Sequence, residues 1–169
     1  TDRGAFLNYE FNWNRGDDME GGIAIQGIGR DDWSIGVNQF LRLDDRTSMF
    51  GQILTPAGRS YFGSGSISRQ FTGFNASISG NATRTLTGIQ YTQQSVTALI
   101  EQDPIKVGKL PFRLYPGITA TTESNQLDHA SQSGAGARLR AQSLPFVIDS
   151  TSNLTTSLQA SYLRGPNEL

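Results

Sequence analysis

Cysteine is absent from the sequence, which excludes a disulfide framework, a thiol nucleophile and a cysteine-ligated zinc site. A single histidine without cysteine also argues against a transition-metal site. Charged residues are scarce, at 17% of the chain against a usual share of about 25%. The net charge of -1 excludes a strongly basic nucleic-acid binder. No stretch of about 18 apolar residues occurs, so we expect no membrane-spanning helix.

Small and hydroxyl-bearing residues are abundant instead. The 169 residues include 19 glycines, 17 serines and 15 threonines, and the hydrophobic share of 36% is low for a packed soluble core. The length suits one domain or a segment of a larger protein. The chain starts at Thr1 without an initiator Met, so we expect a processed mature chain or a piece of a longer one.

Strict alternation of apolar and polar residues is the clearest pattern in the chain. In the first segment one face carries the apolar set Ala5, Leu7, Tyr9, Phe11 and Trp13. A helix would scatter these residues around its circumference, so the segment is predicted to be a strand. The same period recurs in residues 33–43, 134–142 and 154–162, and weaker candidate strands are 23–29, 49–54, 61–70, 71–79, 84–93 and 112–122. The pattern predicts an all-β, antiparallel fold of about ten strands with no amphipathic helix.

A break is predicted near residues 101–111, where Pro104 and Pro111 flank the two lysines of the chain, Lys106 and Lys109. Proline cannot donate to a strand ladder, so this segment should be a loop or a small excursion outside the continuous sheet. We therefore expect residues 1–169 to form a single β-barrel domain or a partial barrel, divided by this break into two halves.

Two architectures are compatible with such strands. In a soluble sandwich or barrel the apolar face fills a dense core, whereas in a transmembrane barrel it meets lipid and the polar face lines a wet interior. Gly134, Gly136, Arg138 and Arg140 on one polar face suit a crowded aqueous lumen. Aromatic residues of the opposite faces lie near strand ends, where the girdles of such barrels occur: Tyr9, Trp13, Trp33 and Tyr162. The sequence therefore predicts an antiparallel transmembrane β-barrel or a fragment of one.

The polar faces supply the candidate pore-lining residues, which are Asn8, Glu10, Asn12, Asn38, Arg42, Arg138, Arg140 and Gln142. The arginines have two interpretations. They bias an aqueous lumen toward anions, or they pair with Glu10 and other carboxylates inside a plugged barrel. The sequence alone does not choose between these.

Catalytic chemistry has one candidate, His129, which lies beside Asp128 and Ser131. Adjacent residues of a strand point to opposite faces, so Asp128 cannot orient the imidazole along the chain. A nucleophile elbow of the Gly-x-Ser-x-Gly type does not occur. The acidic pairs beside strand ends match no calcium loop. We predict no enzyme activity, no metal and no cofactor.

The run from Gly4 to Trp13, Gly-Ala-Phe-Leu-Asn-Tyr-Glu-Phe-Asn-Trp, resembles the opening strand of the translocation barrel in outer-membrane fimbrial ushers. Residues 52–63 loosely resemble a later usher hairpin, and residues 96–116, with their proline-containing break, resemble in position the neighbourhood where ushers insert a plug domain. An usher is several times longer than this chain. The resemblance implies passage of folded pilus subunits through a wide pore, without a cofactor or a chemical step.

The sequence thus predicts a bacterial outer-membrane β-barrel that acts in transport or secretion. Its expected partners are outer-membrane lipid and pilus subunits or another translocated protein, with no nucleic acid. Two alternatives stay open: a soluble all-β adhesin, fibre or glycan-binding module, and an outer-membrane lipid hydrolase or acyltransferase that uses His129.

Overall fold

The computed structural model describes residues 7–29, 31–127, 130–147 and 153–165. This part of the chain is all-β, as the alternation predicts, and contains no helix that is long and apolar enough to cross a membrane. Its strands are β1 (Leu7–Arg15), β2 (Met19–Ile28), β3 (Ser34–Asp44), β4 (Thr47–Pro56), β5 (Ser60–Phe71), β6 (Phe74–Thr85), β7 (Tyr91–Gln102), β8 (Ile105–Lys106), β9 (Phe112–Asn125), β10 (Ala130–Ser143), β11 (Phe146–Val147), β12 (Asn153–Leu154) and β13 (Ser157–Arg164).

Eleven of these strands form one antiparallel sheet. Ten follow each other in the order β1-β2-β3-β4-β5-β6-β7-β9-β10-β13, and the short β8 pairs with the beginning of β9. The strands β11 and β12 pair only with each other. Each long strand therefore pairs with the next long strand of the chain, which is the up-and-down connection that antiparallel hairpins allow.

The tightest hairpins have turn residues that suit them. Between β5 and β6 the chain reverses through Thr72 and Gly73, and Gly73 has a φ of +89°, a conformation that costs glycine little. The rings of Phe71 and Phe74 stack across this turn with centroids 4.7 Å apart. The turn therefore sets the register of β5 on β6, which continues without a bulge from Phe71 to Ser60.

The predicted strand at residues 84–93 is wrong. β6 ends at Thr85, residues 86–90 form a bend with Gly88 at a φ of +71°, and β7 begins only at Tyr91. Ile89 and Tyr91 keep the strand period of two in the sequence, but the left-handed Gly88 before them interrupts the extended chain. β7 then runs to Gln102, so residues 103–111 alone lie between β7 and β9, and they include β8.

The sheet is a single open layer. Its strands contact mainly their hydrogen-bonded neighbours, and no hydrophobic side chain among the described residues is buried. β1 and β13 form the two edges and do not pair with each other, so the sheet is not closed into a barrel. The residues that a soluble protein would use as a core instead lie on a surface.

Candidate functional site on the polar face

The register assigns the strand residues to two faces, because directly paired residues of neighbouring strands point to the same side. One face, here called the polar face, includes Glu10, Asn12, Glu20, Asn38, Arg42, Gln52, Ser64, Ser66, Ser79, Asn81, Ser95, Thr97, Glu101, Thr119, Thr121, Glu123, Arg138, Arg140, Gln142 and Gln159. One row of directly paired residues crosses nine strands and carries a polar side chain at every position except one glycine: Asn12, Gly22, Asn38, Gln52, Ser64, Asn81, Ser95, Glu123 and Gln132.

The other side of the sheet, here called the apolar face, carries most of the aliphatic side chains. It includes Phe11, Ile23, Val37, Ile53, Ile67, Ile78, Val96, Ala98, Ile100, Ile118, Ala120, Ala137, Leu139, Leu158 and Ala160. The division is not perfect, since Phe40, Phe50, Leu54 and Phe62 lie on the polar face. It is nevertheless continuous from one edge of the sheet to the other.

Exposure to solvent is the reverse of what a soluble sheet shows. On β9 the apolar-face residue Ile118 is 61% exposed, whereas its neighbour Thr119 on the polar face is 9% exposed. Along the middle of β10, Arg138 and Arg140 are half-buried while Leu139 between them is exposed. Soluble proteins cover aliphatic side chains and leave polar ones in water. Over this part of the sheet the polar face is therefore the sheltered one.

Charged side chains follow the same division. On the apolar face of the described strands the cations lie within two residues of a strand end: Arg15, Arg69, Arg84 and Arg164. The polar face carries charge farther inside its strands, as Glu10 and Arg138 show. The middle of the apolar face is thus free of charge.

Aromatic residues of the apolar face lie close to the strand ends, except Phe11 at the middle of β1. Those near one end of the sheet are Trp13, Phe71, Phe74 and Phe112, and those near the other end are Tyr9, Tyr61 and Tyr162. Trp13 packs over Gly21, where a Cβ atom would lie 2.6 Å from its ring, and donates its indole N–H to Oε1 of Gln39 at 3.0 Å. Gly21 thereby lets the indole bridge β1 and β3.

An ion pair crosses the polar face between β7 and β10. The guanidinium of Arg140 donates from Nε to Oε2 of Glu101 at 3.1 Å and from Nη2 to Oε1 at 2.5 Å. Nη1 donates to Oε1 of Gln142 at 2.8 Å, and the guanidinium carbon lies 3.8 Å from the ring centroid of Tyr115. The side chains of Arg140 and Glu101 are 26% and 14% exposed, so the pair is substantially withdrawn from water. Its charges are matched.

Arg138 has a different environment. Its Nη2 donates to Oε1 of Gln159 at 2.6 Å, which is a neutral partner, and its Nε is buried without a hydrogen bond. A buried donor that stays unsatisfied costs about 1–3 kcal/mol. Its direct neighbours in the register are Gly117 on β9 and Ser161 on β13, both small. Arg138 is therefore a half-buried cation with no carboxylate partner.

The predicted pore-lining residues fall into three groups. Asn12 donates to the carboxylate of Glu10 at 2.8 Å on β1, while Asn8 lies at a bulge and accepts the backbone N–H of Gly27 at 2.9 Å. Asn38 and Arg42 lie on β3. Arg138, Arg140 and Gln142 lie together on β10.

Of the two interpretations of the arginines, an anion-favouring lumen and pairing with carboxylates, the structure shows carboxylate pairing for Arg140. Arg140 is paired, but with Glu101 and not with Glu10, which lies on the edge strand β1. Sequence reasoning missed Glu101 because it assigned this residue to the proline-containing break. The alternation of Ser95, Thr97, Leu99 and Glu101 on one face of β7 is the signal that would have placed it.

Several observations bear on other chemistry. His129 and Asp128 lie outside the described residues, as do Gly4, Ala5 and Phe6, which open the usher resemblance. No group of acidic or histidine side chains suited to a metal occurs in the described ranges.

Comparison of the chain with protein-family models, curated proteins and solved structures finds no match.

Proposed function

We propose that this sheet forms the wall, or part of the wall, of a transmembrane β-barrel in a bacterial outer membrane, and that the barrel acts in transport or secretion. The observation that carries the proposal is the reversed exposure of the two faces. The aliphatic side chains of Ile78 and Ile118 are more than half exposed, whereas Ser77 beside Ile78 is half-buried and Thr119 beside Ile118 is buried. Lipid is the environment in which this arrangement is stable.

Energetics support the same environment. Apolar surface left in water costs about 25 cal/mol per Å², and the exposed aliphatic residues are spread over every long strand of the sheet. A single layer cannot bury this surface within itself. A hydrocarbon phase removes it from water without a second protein layer, and the charge-free middle of the apolar face imposes no penalty there.

The dimensions fit a bilayer. Tyr61 and Phe71 lie ten residues apart at opposite ends of the apolar face of β5, about 33 Å along the strand. At a strand tilt of about 40° this separation spans about 25 Å, the height of the apolar band between the aromatic girdles of outer-membrane barrels. The arginines of the apolar face lie at the same levels as these aromatic residues, where a cation reaches the headgroup region.

The topology also supports a barrel. The ten strands of the main path alternate in direction, so β1 and β13 run antiparallel to each other. Both are long edges without proline, and such edges favour pairing with further strands. Pairing of these edges would enclose the polar face. The resemblance of β1 to the first strand of fimbrial ushers, and with it the passage of pilus subunits, stays a prediction.

Cysteine accessibility tests the proposal cleanly, because the natural chain contains no cysteine. Adjacent residues of one strand share a depth but face opposite sides, which provides matched pairs: Thr97 with Ala98 on β7, and Thr121 with Ala120 on β9. Each is replaced by cysteine in the full chain reconstituted in lipid vesicles. We expect Thr97→Cys and Thr121→Cys to react with a membrane-impermeant maleimide after vesicle permeabilisation, and Ala98→Cys and Ala120→Cys to be protected.

All four variants should react equally in urea, which controls for intrinsic reactivity. Gly136 is unsuitable for this test, because a Cβ atom there would overlap the carbonyl oxygen of Tyr162. Labelling of Ala98→Cys and Ala120→Cys but not of their neighbours would place the apolar face in water and refute the membrane orientation. A protein that folds in buffer without detergent would favour a soluble all-β module instead.

A further inference from the structure

We infer that Arg138 is the centre of an anion-binding site on the polar face, for small solutes that carry a phosphate or carboxylate group. The role of this site rests on the proposed function, since it names the class of solute that the lumen of the proposed barrel would favour. The binding itself depends only on the arrangement of side chains in the sheet.

The first argument is the unequal treatment of two neighbouring arginines. Arg140 donates two guanidinium N–H groups to the carboxylate of Glu101 and a third to the side-chain oxygen of Gln142. Arg138 has only the amide oxygen of Gln159, and its Nε has no acceptor. A guanidinium presents a fixed fork of donors that matches a carboxylate or a phosphate in two-point contact. Nε of Arg138 is buried and out of reach of a solute, but Nη1 makes no hydrogen bond to a described residue and Nη2 makes one. The pair of terminal nitrogens therefore retains this capacity, whereas Arg140 has used its Nε and Nη2.

The second argument is the local balance of charge. On this part of the polar face three arginines, Arg113, Arg138 and Arg140, accompany one acid, Glu101. Glu123 lies six positions from Gly117, the partner of Arg138, which is about 20 Å along β9. Two guanidiniums therefore lack a carboxylate. Arg113 is exposed, but Arg138 is half-sheltered from water, so its positive potential is less screened than on an open surface.

The third argument is room. The residues directly beside Arg138 in the register are Gly117 and Ser161, and Gly136 lies two positions away on the same face of β10. None of these residues has a side chain longer than that of serine, so they leave room beside the terminal nitrogens of the guanidinium. Because Gln159 accepts through Oε1, its amide group remains a donor, and the Ser161 hydroxyl is a second neutral donor in the adjacent strand. The surroundings of Arg138 are thus rich in donors and poor in acceptors.

The experiment is a titration of the full-length protein in zwitterionic detergent micelles with inorganic phosphate, followed through the ¹H–¹⁵Nε signals of its arginines. Signals are assigned from the single variants. We expect a saturable shift of the Arg138 signal and a much smaller shift of the Arg140 signal, which Glu101 already holds. Acetate should act as phosphate does, and chloride at equal ionic strength should not, because a spherical ion gains nothing from the fork.

Variants make the test specific. Arg138→Gln should weaken phosphate binding about tenfold or more, whereas Arg84→Gln, which removes the same charge from the apolar face, should change it less than about twofold. Glu101→Gln should strengthen binding, because it releases the second guanidinium. If Arg138→Gln is poorly folded, Arg138→Lys decides, because it keeps the positive charge and removes the planar fork: phosphate binding should weaken, and unchanged binding would overturn the inference.

Two results would overturn the inference: an Arg138 signal that phosphate does not move, or a chloride response equal to that of phosphate, which would indicate general screening. The titration needs no bilayer and the cysteine labelling needs no ligand. A failure of the anion site is therefore distinguishable from a failure of the membrane orientation.

Discussion

Glu101 and Arg140 form a two-point ion pair across a strand to which neither belongs. Glu101 lies on β7 and Arg140 on β10, with β9 between them, and the shortest contact is 2.5 Å. The carboxylate reaches past Gly117 of β9, its direct partner in the register. The pair therefore ties three strands together and depends on a position that carries no side chain.

The first prediction concerns that position. In Gly117→Ala the new Cβ atom would lie 2.6 Å from the carbonyl oxygen of Ile100 and 3.2 Å from Cα of Glu101. Both contacts are with backbone, which cannot move aside cheaply, so we expect a loss of about 1–3 kcal/mol in the free energy of unfolding. Urea unfolding of the protein folded in micelles measures it. Gly63→Ala is the control, since its nearest atom lies at 3.9 Å, and an equal loss there would contradict the explanation.

The second prediction concerns the ion pair itself. Glu101→Gln leaves a partly buried guanidinium without its carboxylate and should destabilise the fold by about 3 kcal/mol. The double variant Glu101→Gln with Arg140→Gln should lose less than the two single variants summed, because the charge left behind has then been removed as well. A double-mutant cycle in denaturant measures this coupling. Additive losses would show that the 2.5 Å contact contributes little.

The third prediction compares the two faces at mid-strand. Ile78 and Ser79 are neighbours on β6 and point to opposite sides. In a bilayer Ile78→Arg should cost about 2–4 kcal/mol, because it places a cation in hydrocarbon, whereas Ser79→Arg should be tolerated in an aqueous interior. Unfolding from lipid vesicles measures both. Equal losses would indicate that the two faces meet similar surroundings.

The fourth prediction concerns the hairpin between β5 and β6. Gly73 has a φ of +89°, and nothing lies within 4 Å of the position where its Cβ would be, so Gly73→Ala would be strained by the backbone and not by contacts. We expect a loss of about 1–2 kcal/mol. Thr72→Ala in the same turn provides the control. If Gly73→Ala is as stable as Thr72→Ala, the turn has adopted another conformation.

Much of the strand pattern was predictable from local sequence. The alternation around Tyr9, Phe11 and Trp13 identifies β1, and the same period identifies β10 and β13. This works because side chains alternate across a strand with a period of two, so one buried or lipid-facing side leaves a readable trace. The same reasoning failed at the bend of residues 86–90, since Ile89 and Tyr91 keep the period of two while the left-handed Gly88 interrupts the strand.

The candidate site was predictable only as a list of residues. The spacing of Arg138 and Arg140 shows that they share a face of the strand. It does not show which residues they bind. Gln159 is 21 residues from Arg138, and Glu101 is 39 residues from Arg140, so each pairing depends on which strands become neighbours and in which register. Those long-range pairings are set by the hairpin turns and by the excursion between β7 and β9.

The sequence by itself determined that this protein is all-β and antiparallel, with one apolar and one polar face, because alternation is a local property of the extended chain. Tertiary structure decided that the sheet is a single open layer with its aliphatic face exposed. It also decided that Arg140 is neutralised while Arg138 is not. These facts depend on contacts between strands that are distant in the sequence. The energy of such a contact depends on side chains from two separate segments, so no short segment determines it.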